Sequence, residues 1–262
     1  MRLAVAATAP FGADVLERLA SKHEIAYLLT RPDRPRGRGR RVGPPPAKET
    51  AEQLGIEVRQ PDRVSDFDPE EETVVLAAYG ALIPEPLLER ALWLNVHPSL
   101  LPRWRGAAPI ERALMAGDRE TGVTIIKLVP ELDAGPIAAQ AAFAVAEEDD
   151  FGSISARAAE LGVELLEEVL PAPEFTPQPD DGISYAEKIG PHDRVLDWSR
   201  PAEELLNRVR ALSPHIGART ELHGRPVTIW RARIEDGTLV PVEVQPDGRR
   251  RMLYDEFVRG LR

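Results

Sequence analysis

The chain has no cysteine, and that single absence excludes a disulfide framework, an iron–sulfur cluster, a thiolate zinc site and a cysteine nucleophile. A reducing compartment fits. No stretch approaches the ~20 apolar residues of a membrane span, and Met1-Arg2-Leu3-Ala4-Val5 runs too soon into Asp14 for a secretory signal. The expectation is a cytoplasmic protein with no membrane partner. Also missing is the Gly-x-Gly-x-x-Gly turn after the first strand; Ala7-Thr8-Ala9-Pro10-Phe11-Gly12 stands there instead, which argues against a dinucleotide cofactor. What remains is an ordinary globular composition, 43% hydrophobic and 29% charged over 262 residues, enough for one or two domains and a sizeable core.

Net charge is −10, but its distribution says more than its sum. Residues 31–48 hold Arg31, Arg34, Arg36, Arg38, Arg40, Arg41 and Lys48 against Asp33 alone, a surplus of six. From Val195 to Arg262 the surplus is two, and the remainder carries −18. So acidic a body repels nucleic acid in bulk, whereas the basic segment can hold phosphates locally.

Strand, helix and strand follow one another in Leu3–Ala7, Gly12–Ala20 and Ile25–Leu29, the pattern of a parallel βαβ unit. The Gly- and Pro-rich segment from Arg31 to Pro46 reads as a long exposed loop, since both residues break helices and central strands. Ala47–Leu54 reads as a helix, Thr73–Ala78 as a buried strand, Pro84–Arg90 as a short helix and Leu92–His97 as another strand. Beyond these, Pro109–Ala116 reads as a helix, Gly122–Val129 and Ile137–Ala146 as an antiparallel strand pair, and Ile154–Leu170 as an amphipathic helix. The Pro-rich linker 171–182 marks the best domain boundary. The expected domains are therefore 1–182, a doubly wound α/β domain with the basic insertion 31–48, and 183–262, a small β domain opened by the helix Pro201–Leu212 and containing strands Val227–Ala232 and Leu239–Val244.

Asn95 and His97 stand two apart at the end of an apolar strand, so alternation turns both to one side. In an open α/β sheet that side faces the crevice at the carboxyl ends of the strands. An isolated Asn-x-His is commonly only structural, so its surroundings decide its reading. His23, His192, His215 and His223 fall in predicted loops, turns or helix ends without a carboxylate pattern, leaving no competing metal spacing. Leu132-Asp133-Ala134-Gly135 is a turn in which Asp133 can serve merely as a turn former. Folded back toward His97, its carboxylate would support the imidazole as an acid or base near neutrality. No serine occupies a nucleophile elbow. Asn, His and Asp without a nucleophile suit direct acyl or formyl transfer to an amine.

Asn95-Val96-His97-Pro98-Ser99-Leu100-Leu101-Pro102-Arg103-Trp104-Arg105-Gly106-Ala107-Ala108-Pro109-Ile110, followed by Thr121-Gly122-Val123-Thr124 and Leu132-Asp133-Ala134-Gly135-Pro136-Ile137, resembles the 10-formyltetrahydrofolate-dependent formyltransferases. The resemblance implies a Rossmann-like catalytic domain and formyl transfer from 10-formyltetrahydrofolate, a cosubstrate, with no metal. It further implies that Asn95 donates to the oxygen of a tetrahedral intermediate, that His97 moves a proton, and that Asp133 supports His97 and positions a water. Ser99, Leu100, Leu101 and Pro102 would border the folate, and Ala77-Ala78-Tyr79-Gly80 is similar to the strand end that contacts the pterin, placing Tyr79 and Gly80 there.

The segment Pro32–Arg41 is similar to the insertion with which the methionyl-tRNA formyltransferases of that family grip the acceptor stem, so Arg36, Arg38, Arg40 and Arg41 are expected on charged initiator tRNA. Relatives acting on glycinamide ribonucleotide lack it. From Tyr185-Ala186-Glu187-Lys188-Ile189 through Val195-Leu196-Asp197-Trp198 to Val227-Thr228-Ile229-Trp230-Arg231-Ala232, the tail resembles the family's second domain, an oligonucleotide-binding (OB) five-stranded barrel. Here Arg233–Leu239 passes almost directly to the closing Val244–Met252 where the family has further strands, so an abbreviated OB-like domain is expected. The turn Ala7-Thr8-Ala9 also departs from the family's usual Gly-Thr-Pro. A monomer is expected. Two alternatives stay open: a formyltransferase with a small acceptor such as an amino-sugar nucleotide, and a catalytically silent RNA-binding protein.

Overall fold

The first apolar run forms β1 (Arg2–Ala7), and Pro10 then opens α1 (Pro10–Ala20), where its fixed φ and missing N–H suit the first turn. β2 (Glu24–Leu29) pairs parallel with β1. Gly12 has a local reason, because a Cβ there would lie 2.3 Å from the Ala77 carbonyl oxygen and 2.8 Å from Ala7 Cβ. The helix thus crosses the strand ends at a separation only glycine permits. The protein is described here from a computed structural model, which covers residues 1–36 and 41–261 and, at Arg36 and Arg41, the backbone alone.

Within the basic segment the expected uninterrupted loop is instead a hairpin, β3 (Arg34–Arg36) against β4 (Arg41–Gly43), with Arg34 opposite Gly43 and Pro35 opposite Val42. Both strands of a two-stranded ribbon are edge strands, the place where a proline is tolerated in a sheet. Next come α2 (Pro46–Leu54), β5 (Glu57–Arg59), β6 (Thr73–Ala77), α3 (Glu85–Leu88) and β7 (Leu92–His97). After these follow β8 (Arg105–Gly106), α4 (Pro109–Ala116), β9 (Glu120–Lys127), β10 (Ile137–Ala144) and α5 (Phe151–Val169).

The main sheet runs β10-β9-β7-β6-β1-β2-β5. All pairs from β7 to β5 are parallel, and β9 is antiparallel to β7. From β1 the chain builds outward to β2 and β5, then returns to lay β6 and β7 on the other side. The strand order therefore reverses between β1 and β6, and ligand crevices in such sheets open at the carboxyl ends beside that reversal. Among the described residues Trp93, Tyr27 and Tyr79 are the largest fully buried side chains, packing with Leu29, Val74, Leu76 and Phe67.

The tail consists of β11 (Tyr185–Ala186), α6 (Ala202–Leu212), β12 (Ala218–Leu222), β13 (Arg225–Glu235), β14 (Thr238–Pro246), β15 (Met252–Leu253) and α7 (Tyr254–Arg259). Its sheet is an open antiparallel run, β12-β13-β14-β15, with four strands rather than a closed five-stranded barrel. Leu205, Val209 and Leu212 of α6 cover Val227, Ile229, Leu239 and Val244 of that sheet. On its other side α6 brings Ala211 against Ile110, Leu114 and Ile154.

Two compact units result, each discontinuous in sequence: Met1–Arg105, Gly122–Ala142 and Ala156–Ser184 form one, and Gly106–Thr121, Phe143–Ser155 and Tyr185–Arg262 the other. The Pro-rich stretch is anchored rather than free, since Thr176 and Ile137 exchange both backbone hydrogen bonds, at 2.8 and 2.9 Å. Among the described residues no helix is long and apolar enough to cross a membrane.

Candidate active site

β7 delivers Asn95 opposite Leu76 on one neighbouring strand and Ile126 on the other, and His97 opposite Thr124. Both are nearly closed off, at 6% and 4% exposure, and buried polar groups need partners. Asp133 supplies one. Asn95 Nδ2 donates to Asp133 Oδ1 at 3.2 Å, while Asp133 Oδ2 stands 3.7 Å from His97 Nδ1. The other imidazole nitrogen, Nε2, lies 2.9 Å from the Trp104 carbonyl oxygen. A carbonyl only accepts, so Nε2 carries hydrogen and Nδ1 is the atom left to take or give a proton. At 3.7 Å the Nδ1–carboxylate approach is longer than a direct hydrogen bond.

Two strained backbones hold this arrangement. Trp104 adopts φ 65° and Asp133 φ 47°, the left-handed region that side chains enter at a cost. Trp104 is fixed on both faces, its N–H donating to Ser184 Oγ at 3.0 Å while its carbonyl receives His97. The Asp133 turn is fixed by Gln178, whose amide donates to the carbonyls of Asp133 and Gly135, both at 2.8 Å. Gly135 itself is obligatory, since a Cβ would lie 1.7 Å from the Lys127 carbonyl oxygen.

Ser99, Leu100, Leu101 and Pro102 form the turn directly after β7. Ser99 Oγ donates to the Arg103 carbonyl at 2.7 Å, and both Ser99 and Leu101 are buried. Thr124 Oγ1 donates to the Ser99 carbonyl at 2.7 Å and accepts from Leu101 N–H at 3.1 Å, with Gln140 Nε2 bonded to the Leu101 carbonyl at 2.9 Å. The Leu100 and Pro102 carbonyls accept from the Arg103 and Ser184 N–H groups in turn, so the turn spends its backbone inside the fold and presents the half-buried Leu100 and Pro102 side chains, not the Ser99 hydroxyl. Tyr79 and Gly80 sit elsewhere on the crevice, in a cleft of about 230 Å³ shared with Thr8, Arg31, Pro32, Arg34 and Pro45. Arg31 Nη1 donates to the Gly80 carbonyl at 3.1 Å, and burial pushes the Tyr79 hydroxyl above its ordinary pKa. Arg38 and Arg40, and the side chains of Arg36 and Arg41, lie outside the described residues.

One reading needs correction. His23 and His215, without a carboxylate pattern in sequence, meet carboxylates in the fold, His23 Nε2 meeting Glu167 at 2.6 Å and His215 meeting Glu111 at 3.2 Å, while His192 lies 3.4 Å from Asp193, its neighbour in the chain. The first two partners are 144 and 104 residues away, beyond any local pattern. Among the described residues none of these pairs grows into a group of three metal-ligating side chains. Sequence reasoning also missed Gln178 and the Trp104 carbonyl. Thr124, a polar residue inside an apolar strand, was the one local signal.

The family profile described as formyl transferase matches residues 1–170, and that of the formyl transferase C-terminal domain matches 188–239. The methionyl-tRNA formyltransferase of Paracoccus denitrificans is 38% identical over 292 aligned positions, which span 100% of this chain and 98% of the relative. Those positions outnumber the chain's 262 residues by 30, so the relative carries at least that many residues absent here. Among solved structures, methionyl-tRNA formyltransferase from Clostridium thermocellum aligns with TM-score 0.65 at 16% identity, covering 94% of this chain and 98% of that one. An N-formyltransferase from Helicobacter canadensis, in complex with folinic acid and dTDP-3-aminofucose, aligns with TM-score 0.66 at 16% identity, covering 89% and 88%. The two structures show a shared fold, and the profile matches together with the full-length relative show that this chain belongs to the formyltransferase family.

Proposed function

We propose that the protein transfers the formyl group of 10-formyltetrahydrofolate to the free amino group of methionyl initiator tRNA, giving N-formylmethionyl-tRNA for translation initiation, and that it acts in the cytoplasm as a monomer. The observation that carries this reading is the 38% identity, over the whole chain, to a protein named for that activity.

The site's chemistry supports it. 10-Formyltetrahydrofolate would supply an activated formyl carbon, and no metal enters the reading. Asn95 Nδ2 is a hydrogen-bond donor in a nearly dry setting, suited to oxygen charge developing on an attacked carbonyl. His97, with Nε2 held by Trp104, offers Nδ1 to the proton that the attacking amine must lose, and that proton goes on to N10 of tetrahydrofolate as its bond to the formyl carbon breaks. Asp133 faces that nitrogen and stabilises the charge it acquires. The cosubstrate would lie along the turn Ser99, Leu100, Leu101 and Pro102 after β7, where Leu100 and Pro102 offer half-buried apolar side chains, and at the strand end with Tyr79 and Gly80. The basic hairpin, through Arg36, Arg38, Arg40 and Arg41, would take the acceptor stem.

A small acceptor such as an amino-sugar nucleotide is the second reading, favoured by the open four-stranded tail. A folate-dependent assay comparing charged initiator tRNA with amino-sugar nucleotides tests both. Turnover on the tRNA alone supports the first; turnover on the sugar alone replaces it with the second; turnover on neither removes both.

A further inference from the structure

Gln178 lies in the Pro-rich stretch between exposed Pro177 and Pro179, yet its side chain is fully engaged. Nε2 donates to the Asp133 and Gly135 carbonyls at 2.8 Å each. Oε1 accepts from Arg105 Nε at 3.1 Å and Nη2 at 2.6 Å. The two arms orient each other. Flipping the amide would set its NH2 against the guanidinium and its oxygen against two carbonyls, so Arg105 fixes which way the donors point.

Both donors reach the one turn that carries Asp133. The two hydrogens of an NH2 group diverge at a fixed angle, so binding the carbonyls on either side of Ala134 locks the local backbone course. That lock acts where it is needed, because Asp133 is held at φ 47°, a conformation that surrounding contacts must impose. The carboxylate so held gives Oδ1 to Asn95 at 3.2 Å and turns Oδ2 toward His97 at 3.7 Å.

We propose that Gln178 is a positioning residue for formyl transfer: through the Asp133 and Gly135 carbonyls, and under the control of Arg105, it sets the placement of the Asp133 carboxylate toward Asn95 and His97. The step it serves rests on the formyl-transfer reading above; the placement itself does not.

The test compares Gln178→Ala and Gln178→Glu with the wild-type chain by steady-state kinetics and by the 15N signals of the His97 ring, with circular dichroism as the check on folding. Gln178→Glu keeps shape and the Arg105 contact but turns an oxygen toward two carbonyls, so a space-filling role would spare it. Misplacing a catalytic group by about 1 Å costs on the order of 100-fold. The expected result is a 10- to 100-fold fall in kcat for both variants on that scale, with KM for the formyl donor changed less than about threefold, and displaced His97 signals. Retained kcat in folded Gln178→Glu, or unmoved His97 signals in both variants, overturns the inference. If the wild-type chain fails to transfer formyl, the functional reading falls while the His97 signals still decide the placement.

Discussion

Asn95 and Asp133, 38 residues apart in sequence, share a hydrogen bond of 3.2 Å in which the amide donates to the carboxylate. That contact fixes the Asn95 amide with nitrogen toward Asp133, so a donor faces the position where His97 Nδ1 also looks. A strand-end pair and a turn residue thereby become one polar cluster at the carboxyl end of β7.

The first expectation follows from that cluster. Asn95→Ala should lower turnover by about 10²–10³, the range for losing one donor to developing oxygen charge. His97→Ala, and Asp133→Asn, which keeps the volume but removes the charge facing Nδ1, should each lose about 10²–10⁴ as for a removed acid or base. Turnover by folded Asn95→Ala and His97→Ala near the wild-type rate would dismiss the site.

Acid stability gives a second. Asp193 is buried and bidentate with Arg112, at 2.8 and 3.0 Å, and also accepts from Gly190 N–H at 2.8 Å. Burial pushes its pKa up, but the hydrogen bonds and charge of Arg112, with the Gly190 amide, outweigh it and hold the carboxyl below its ordinary 3.8. A folded value below the unfolded one stabilises the protein above the unfolded pKa, and that contribution fades as pH falls through the lower folded value. Asp193→Asn should thus cost about 3 kcal/mol at neutral pH by leaving a guanidinium poorly paired, with the gap from wild type narrowing below the ordinary carboxyl pKa. Urea unfolding at pH 7 and at acid pH measures it; a gap independent of pH contradicts the assignment.

A third concerns α6. Ending the chain near Asp181 removes Ala211 from Ile110, Leu114 and Ile154, three buried apolar side chains, each worth roughly 1.5–3 kcal/mol when fully covered. Such a truncation should melt lower than the full chain and bind a hydrophobic dye. An unchanged melting midpoint would mean that these residues find other cover.

What could be read in sequence were features with local causes. The apolar runs of β1, β6 and β7 and the Asn-x-His spacing depend on alternation within a single strand, and Pro109 marks the start of α4, whereas α1 and α2 begin on Pro10 and Pro46, ahead of the expected Gly12 and Ala47. What escaped depends on partners far along the chain. β12, Ala218–Leu222, alternates Arg, Thr and Glu and becomes a strand because β13 pairs with it. Pro35 entered a strand because its hairpin is a free ribbon. Gln178 looks like any polar residue in a Pro-rich stretch, and only the 45-residue closure to Asp133 gives it a place.

The basic segment yields the last expectation, and the fold shows which of its charges cancel. Lys48, counted with the arginines in the sequence, bonds Asp33 with Nζ at 3.0 Å to each carboxylate oxygen, and Gln60 Oε1 at 2.8 Å. Gln60 in turn donates to the Arg31 carbonyl and to Asp33 Oδ1, both at 2.8 Å. Lys48 and Asp33 neutralise each other next to β3 and β4, so under the tRNA reading the phosphate contacts would fall to the segment's arginines. Arg38, between Gly37 and Gly39, lies outside the described residues, and its guanidinium fork suits phosphates or a base edge near the acceptor end. Arg38→Ala should raise the KM for charged initiator tRNA and flatten its salt dependence by about one phosphate contact, with folate binding intact. Gln60→Ala, which unties the base without removing a positive charge, should also raise that KM but keep the salt slope. Steady-state kinetics at several salt concentrations separate the two variants. If Arg38→Ala left KM, turnover and slope unaltered, the hairpin would have no tRNA to hold, and the amino-sugar acceptor would become the better reading.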